Sequence, residues 1–97
     1  MKFEWNIEKE KINIKKHNVT FEQASFVFSD MYALNQYDEE HSEYEDRWVI
    51  LGKSLNEVLL LVVHTFRNKD NVEYVRIISA RKATKKEKQT YQKRCTQ

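Results

Sequence analysis

Four side chains in the second half of the chain, His64, Arg67, Arg76 and Arg81, are of the types that metal-free phosphodiester cleavage needs. Cleaving RNA this way takes a base for the 2′-hydroxyl proton, cations for the charge growing on the phosphate, and an acid for the departing 5′-oxygen. Histidine serves as base or acid near neutral pH. Arginine presents a planar fork matched to phosphate oxygens, and lysine a point charge. Lys82 stands with Arg81 just before a helix start, where backbone N–H groups and the helix dipole favour anions. Lys85 and Lys86, with Lys88, Lys93 and Arg94, read as a more general basic face. Each of the four also has a plainly structural reading. His64 suits a core imidazole bonded to a carbonyl, Arg67 a turn cation, Arg76 half of an internal ion pair, and Arg81 a strand-end charge.

The elements that must position these residues are two long apolar runs, residues 57–66 and 72–80, which read as strands joined by a short polar turn. Both runs are apolar on both parities, as expected of central strands covered on both faces. Register decides which cations share a face. A three-residue loop at Lys69-Asp70-Asn71 puts His64 with Arg76, and Arg67 with Arg81. A four-residue loop over 68–71 puts His64 with Arg81, and Arg67 with Arg76. The sequence leaves both open.

Upstream, alternation at Phe3 and Trp5 marks a short strand, and Asn6 is placed to cap a helix over 7–16. Its apolar residues, Ile7, Ile12 and Ile14, predict a narrow buried stripe. Asn18 suits a left-handed C-cap. Thr20 and Gln23 form a capping box for a second helix packing through Phe21, Ala24, Val27 and Phe28. Residues 31–38 include a candidate edge strand, 39–46 an acidic loop, and 47–53 a strand. Thr84 caps a basic helix running to about residue 94. The order β-α-α-β-β-β-α describes an α+β domain: an antiparallel sheet of three to four strands with two N-terminal helices and a C-terminal helix.

With 97 residues the chain is expected to be one domain, 1–97. The charge is lopsided. Residues 1–50 hold six Lys/Arg against eleven Asp/Glu, and residues 51–97 eleven against four, so a basic side can face nucleic acid while an acidic side faces away. The longest apolar stretch is too short to span a bilayer, no signal-peptide pattern opens the chain, and the lone Cys95 has no internal partner. These features lead us to expect a reducing, cytoplasmic setting and no membrane contact. A Gly-rich phosphate loop is ruled out by the single glycine, and His41 and Glu45 lack the further ligands of a metal site. No metal or cofactor is expected.

The motifs Phe3-Glu4-Trp5-Asn6, Lys9, Asn13, Lys16-His17 and Val19-Thr20-Phe21-Glu22 resemble the opening of BrnT-type toxins. Asp38, His41-Ser42, Glu45, Arg47-Trp48 and Gly52 fit the family's middle. Val63-His64-Thr65, Arg67 and the run from Arg76 to Thr84 resemble its most recognisable signature. The chain departs from the family at Asn6-Ile7, where Asp-Pro is frequent, and at Asn18, where Gly is. The resemblance implies a RelE-like fold and the ribonuclease toxin of a type II toxin–antitoxin pair, cutting RNA and halting translation. It implies a BrnA-type antitoxin that neutralises the toxin and alone contacts operator DNA. Carried over by position, it puts His64, Arg67, Arg76, Arg81 and Lys82 on the active surface, with Lys9, His17 and Arg47 as further RNA-binding candidates. The alternative is a module that binds nucleic acid, or acts as co-repressor with its antitoxin, without cutting.

Overall fold

A computed structural model describes residues 1–96; Gln97 lies outside the described residues. The elements, in chain order, are β1 (Lys2–Glu4), α1 (Ile7–His17), α2 (Phe21–Ser25), β2 (Leu34–Tyr37), β3 (Trp48–Lys53), β4 (Leu59–Lys69), β5 (Val72–Lys82) and α3 (Lys85–Cys95). The strands form one five-stranded sheet in the order β1-β5-β4-β3-β2. The class is α+β as expected, but the sheet is larger and mixed. β1 pairs parallel to β5, and β2 adds a second edge antiparallel to β3. These edges are short, and Leu34-Asn35-Gln36-Tyr37 is half polar, so neither carries the long apolar signal of the central strands.

The expected caps form. The Asn6 side chain accepts from the Lys9 N–H, and Asn18 ends α1 in the left-handed region at φ 56°. Thr20 and Gln23 close a capping box, and so do Thr84 and Glu87. Phe21, Ala24 and Val27 pack with Leu60, Val62, Val75, Ile77 and Ala80 on the inner face of the sheet. A smaller cluster on the outer face joins Leu51, Ala83 and Tyr91, so α3 covers only that end. Asp30 fastens it there, accepting from the Tyr91 hydroxyl and the Lys53 N–H. Gly52 is required by close approach: an added Cβ would stand 2.9 Å from Val27 and 3.0 Å from Ala33.

α1 contradicts its apolar stripe. Ile7 and Ile12 are 63% and 66% exposed, and the residue that α1 buries is Asn13. Because β1 pairs only with Tyr74, Val75 and Arg76, the edge of β5 beyond them needs other partners. The Asn13 side chain donates to the Ala80 and Val19 carbonyls and accepts from the Ala80 N–H, all within 3.0 Å. Asn13→Ala orphans these three buried groups. We expect it to lower the unfolding free energy by about 1–3 kcal/mol in a urea titration.

Candidate active site

The β4–β5 hairpin closes with a tighter turn than either register considered above. Lys69 pairs with Val72, and Asp70 and Asn71 are both left-handed, at φ 52° and 64°, the two-residue geometry that Asn and Asp tolerate. The hairpin also carries a bulge. His64 pairs with Ile77 but Val63 pairs with Ser79, which leaves Ile78 as an extra residue on β5. The bulge reverses parity along β5. Ile77 and Ala80 therefore both reach the inner core, and Arg76 and Arg81 both face outward.

Arg67, Arg76 and Arg81 thus share the outer face. Arg67 stands opposite Tyr74, Arg76 opposite Thr65, and Arg81 opposite Leu61. Thr65 and Leu61 are four residues apart, so Arg76 and Arg81 are separated by roughly 13 Å along the sheet. An open cleft of about 470 Å³ lies at the hairpin end, lined by Glu4, Trp5, Thr65, Arg67, Arg76 and the loop residues Glu45 and Asp46. Within it, Arg67 donates from Nε and Nη2 to the two carboxylate oxygens of Glu4, at 2.8 and 2.9 Å. The Arg67 guanidinium also lies over the Tyr74 ring, 5.6 Å from its centre. Arg76, exposed and paired in register with Glu4, makes no ion pair among the described residues.

Arg81 is committed elsewhere. Its guanidinium donates both Nη groups to Glu87 at 2.8 and 3.0 Å, and Glu87 also accepts the Thr84 N–H as part of the α3 capping box. The bond from Arg81 holds the Glu87 carboxyl down at about 2, with help from Thr84 and against the pull of burial; the same bond raises the Arg81 pKa. The pair locks α3 onto β5, a structural use of a residue expected at the phosphate. The ordinary value of 4.5 for Glu87 is therefore lowered in the folded state. Its contribution is complete above that value and is lost as the pH falls to about 2. Arg81 is partly solvated, so Glu87→Gln should cost about 1–2 kcal/mol at neutral pH in thermal or denaturant unfolding, and the gap to the parent should close in strong acid.

His64, expected to transfer protons or to sit in the core bonded to a carbonyl, takes the core position. It is fully buried on the inner face, packed edge-on against Phe28 and Phe66 at ring separations of 4.7 and 4.9 Å. Nδ1 donates to the Val62 carbonyl at 3.2 Å, and Nε2 meets no partner among the described residues. Burial lowers its pKa to about 4, with the Val62 bond opposing. The imidazole thus lies in the core and does not line the cleft that holds Arg67 and Arg76.

The other cations fall into separate groups. Lys82 turns to the opposite end of the sheet, lining a hollow with Asn18, Leu60 and Asn56. Lys85 and Lys86 are exposed in the first turn of α3. Lys9, Lys16 and His17 of α1 line a shallow hollow with Ile78 and Ser79 at the β5 edge, next along the strand from Arg76. Arg47 is half-exposed just before β3, its backbone held by Ser42 and Asp38. The arrangement therefore brings Arg67 and Arg76 together and leaves the remaining candidates apart. Glu4, Thr65 and Tyr74 escaped the sequence reading. The alternation at Phe3 and Trp5 marked a strand through Glu4, but nothing in it revealed that β1 would lie beside β5.

The family described as the ribonuclease toxin BrnT of type II toxin–antitoxin systems matches residues 5–87. The crystal structure of the ribonuclease toxin BrnT from Brucella abortus has the same fold, with a TM-score of 0.59 at 23% identity, over 88% of this chain and 99% of that one. No curated protein matches. Among the described residues, no helix is long and apolar enough to cross a membrane.

Proposed function

The chain belongs to the BrnT family of ribonuclease toxins of type II toxin–antitoxin systems, and from that premise we propose that it is a metal-independent endoribonuclease acting at the cleft between Arg67 and Arg76. The observation that carries the proposal is a pair of guanidinium groups in one open cleft, of which Arg76 makes no ion pair among the described residues. Arg76 grips the scissile phosphate and stabilises its developing charge, and Arg67 supports it. The RNA strand continues over the β5 edge toward Lys9 and His17 of α1, the nearest basic ground. Arg47, Lys82, Lys85 and Lys86 contribute at most to the general attraction of a polyanion. Cleavage of cellular RNA halts translation in the cytoplasm. A BrnA-type antitoxin neutralises the chain, and operator DNA is reached only through that partner.

One observation favours a second reading. Two of the three outward arginines, Arg67 and Arg81, are already matched by carboxylates. A module that binds nucleic acid or serves as co-repressor without cutting would tolerate that pairing.

Incubating the purified chain with RNA in the presence of chelator separates the two. Strand scission that persists under chelation, leaving 5′-hydroxyl and 2′,3′-cyclic phosphate ends, is the expected result. RNA that is bound in a salt-dependent way but recovered intact would favour the binding module. Scission abolished by chelator and restored by a divalent cation would overturn metal independence.

A further inference from the structure

Metal-free cleavage needs a proton acceptor, and with His64 in the core the cleft must supply another. We propose that Glu4 is the general base, an inference that rests on the ribonuclease reading above. Three observations single it out.

Glu4 is the cleft carboxylate carried on the sheet itself. β1 is hydrogen-bonded to β5, and Glu4 is the register partner of Arg76, which puts the two on neighbouring strands about 4.8 Å apart at the backbone. Glu45 and Asp46, the other acids of the cleft, sit on an irregular exposed loop, and Asp46 already accepts from the Tyr37 hydroxyl.

Its orientation is fixed. The two bonds from Arg67 take one lone pair on each carboxylate oxygen, and each oxygen keeps a second. Arg67 is in turn steadied by Tyr74. A base held this way does not have to be ordered when the substrate arrives.

Its position beside Arg76 suits the step. With the phosphate on Arg76, a 2′-hydroxyl can present its proton to a free lone pair of Glu4. The 2′-oxygen then forms its bond to phosphorus as the bond from phosphorus to the 5′-oxygen breaks. The departing oxygen takes a proton from water in the open cleft, and the proton held by Glu4 neutralises the hydroxide left behind. Nothing is oxidised or reduced, and the products are a 2′,3′-cyclic phosphate and a 5′-hydroxyl. The charged and titratable groups around Glu4 are Arg67 on β4, Arg76 and Tyr74 on β5, Lys2 on its own strand, and Glu45 and Asp46 on the loop.

The test compares the parent chain with Glu4→Gln and Glu4→Asp, using an RNA oligonucleotide and its fully 2′-O-methylated counterpart, which has no 2′-proton to give. Glu4→Gln should lower single-turnover cleavage by about 10²–10⁴-fold while its affinity for the methylated RNA stays within a few-fold. The fall in rate on acidification seen in the parent should vanish in its residual activity, and Glu4→Asp should recover part of the rate. Glu4→Gln that cleaves within a few-fold of the parent overturns the assignment. So does a loss of methylated-RNA affinity that accounts for the whole loss of rate, since Glu4 would then only hold Arg67 in place. A parent chain that leaves RNA intact removes the ribonuclease reading itself and the assignment with it.

Discussion

Arg76→Ala should cleave RNA about 10²–10³-fold more slowly than the parent chain, the loss typical of removing one preorganised charge from a phosphoryl or acyl transfer site. Among the described residues Arg76 is the outward arginine of the hairpin that no carboxylate holds, so a phosphate need not displace an internal partner to reach it. Its side chain is exposed, and both backbone neighbours, Val75 and Ile77, are anchored in the inner core. Truncation therefore removes charge without opening a cavity, and the far-ultraviolet dichroism and melting temperature should be nearly unchanged. Lysine at the same place keeps the charge and loses the fork, so Arg76→Lys should recover only part of the rate. The assay is single-turnover cleavage of a labelled RNA under chelator. A rate for Arg76→Ala equal to the parent's would take Arg76 out of the mechanism.

The second large effect concerns acid stability. His64 titrates near 6.5 when the chain is unfolded and near 4 in the core, because burial opposes the imidazolium. The unfolded state thus binds the extra proton between those values. The stabilisation is complete above about 6.5 and drains away as the pH falls toward 4. That shift corresponds to about 3 kcal/mol at the acid end. His64→Leu keeps an apolar group of similar size against Phe28 and Phe66 and has no proton to take up. Urea midpoints measured from pH 7 to pH 4 should fall steeply for the parent and much less for His64→Leu. Parallel curves would mean that the imidazole is solvated. The variant should also retain RNA cleavage, because the imidazole is buried in the core and does not line the cleft.

Local features of the chain were legible in proportion to how local their causes are. Asn6, Asn18, Thr20 with Gln23, and Thr84 mark helix ends through hydrogen bonds spanning three or four residues, and each cap forms as read. The pairing of the outward arginines was not legible, because it depends on a two-residue turn and on one unpaired residue, Ile78, whose place is set by packing of Ile77 and Ala80 into the same core. His64 and Arg67 read alike as polar intrusions in apolar strands. Only burial separates them, and strand parity does not say which face a helix will cover. α1 misled for the converse reason. Its isoleucines suggested a stripe, while the contact that matters is Asn13 completing the backbone bonds of a strand 67 residues away in sequence. Glu4 was hidden by the same distance, its partner Arg67 lying 63 residues on.

The most direct measurement follows the protein's own signals while RNA is bound. Arginine Nε and side-chain carboxylate resonances, recorded by NMR during titration with 2′-O-methylated RNA, report which groups meet the backbone. The largest shifts should fall on Arg76, Arg67 and Glu4, with smaller ones at Lys9 and His17 of α1. Shifts confined to Lys82, Lys85 and Lys86, with the hairpin cleft silent, would contradict the account.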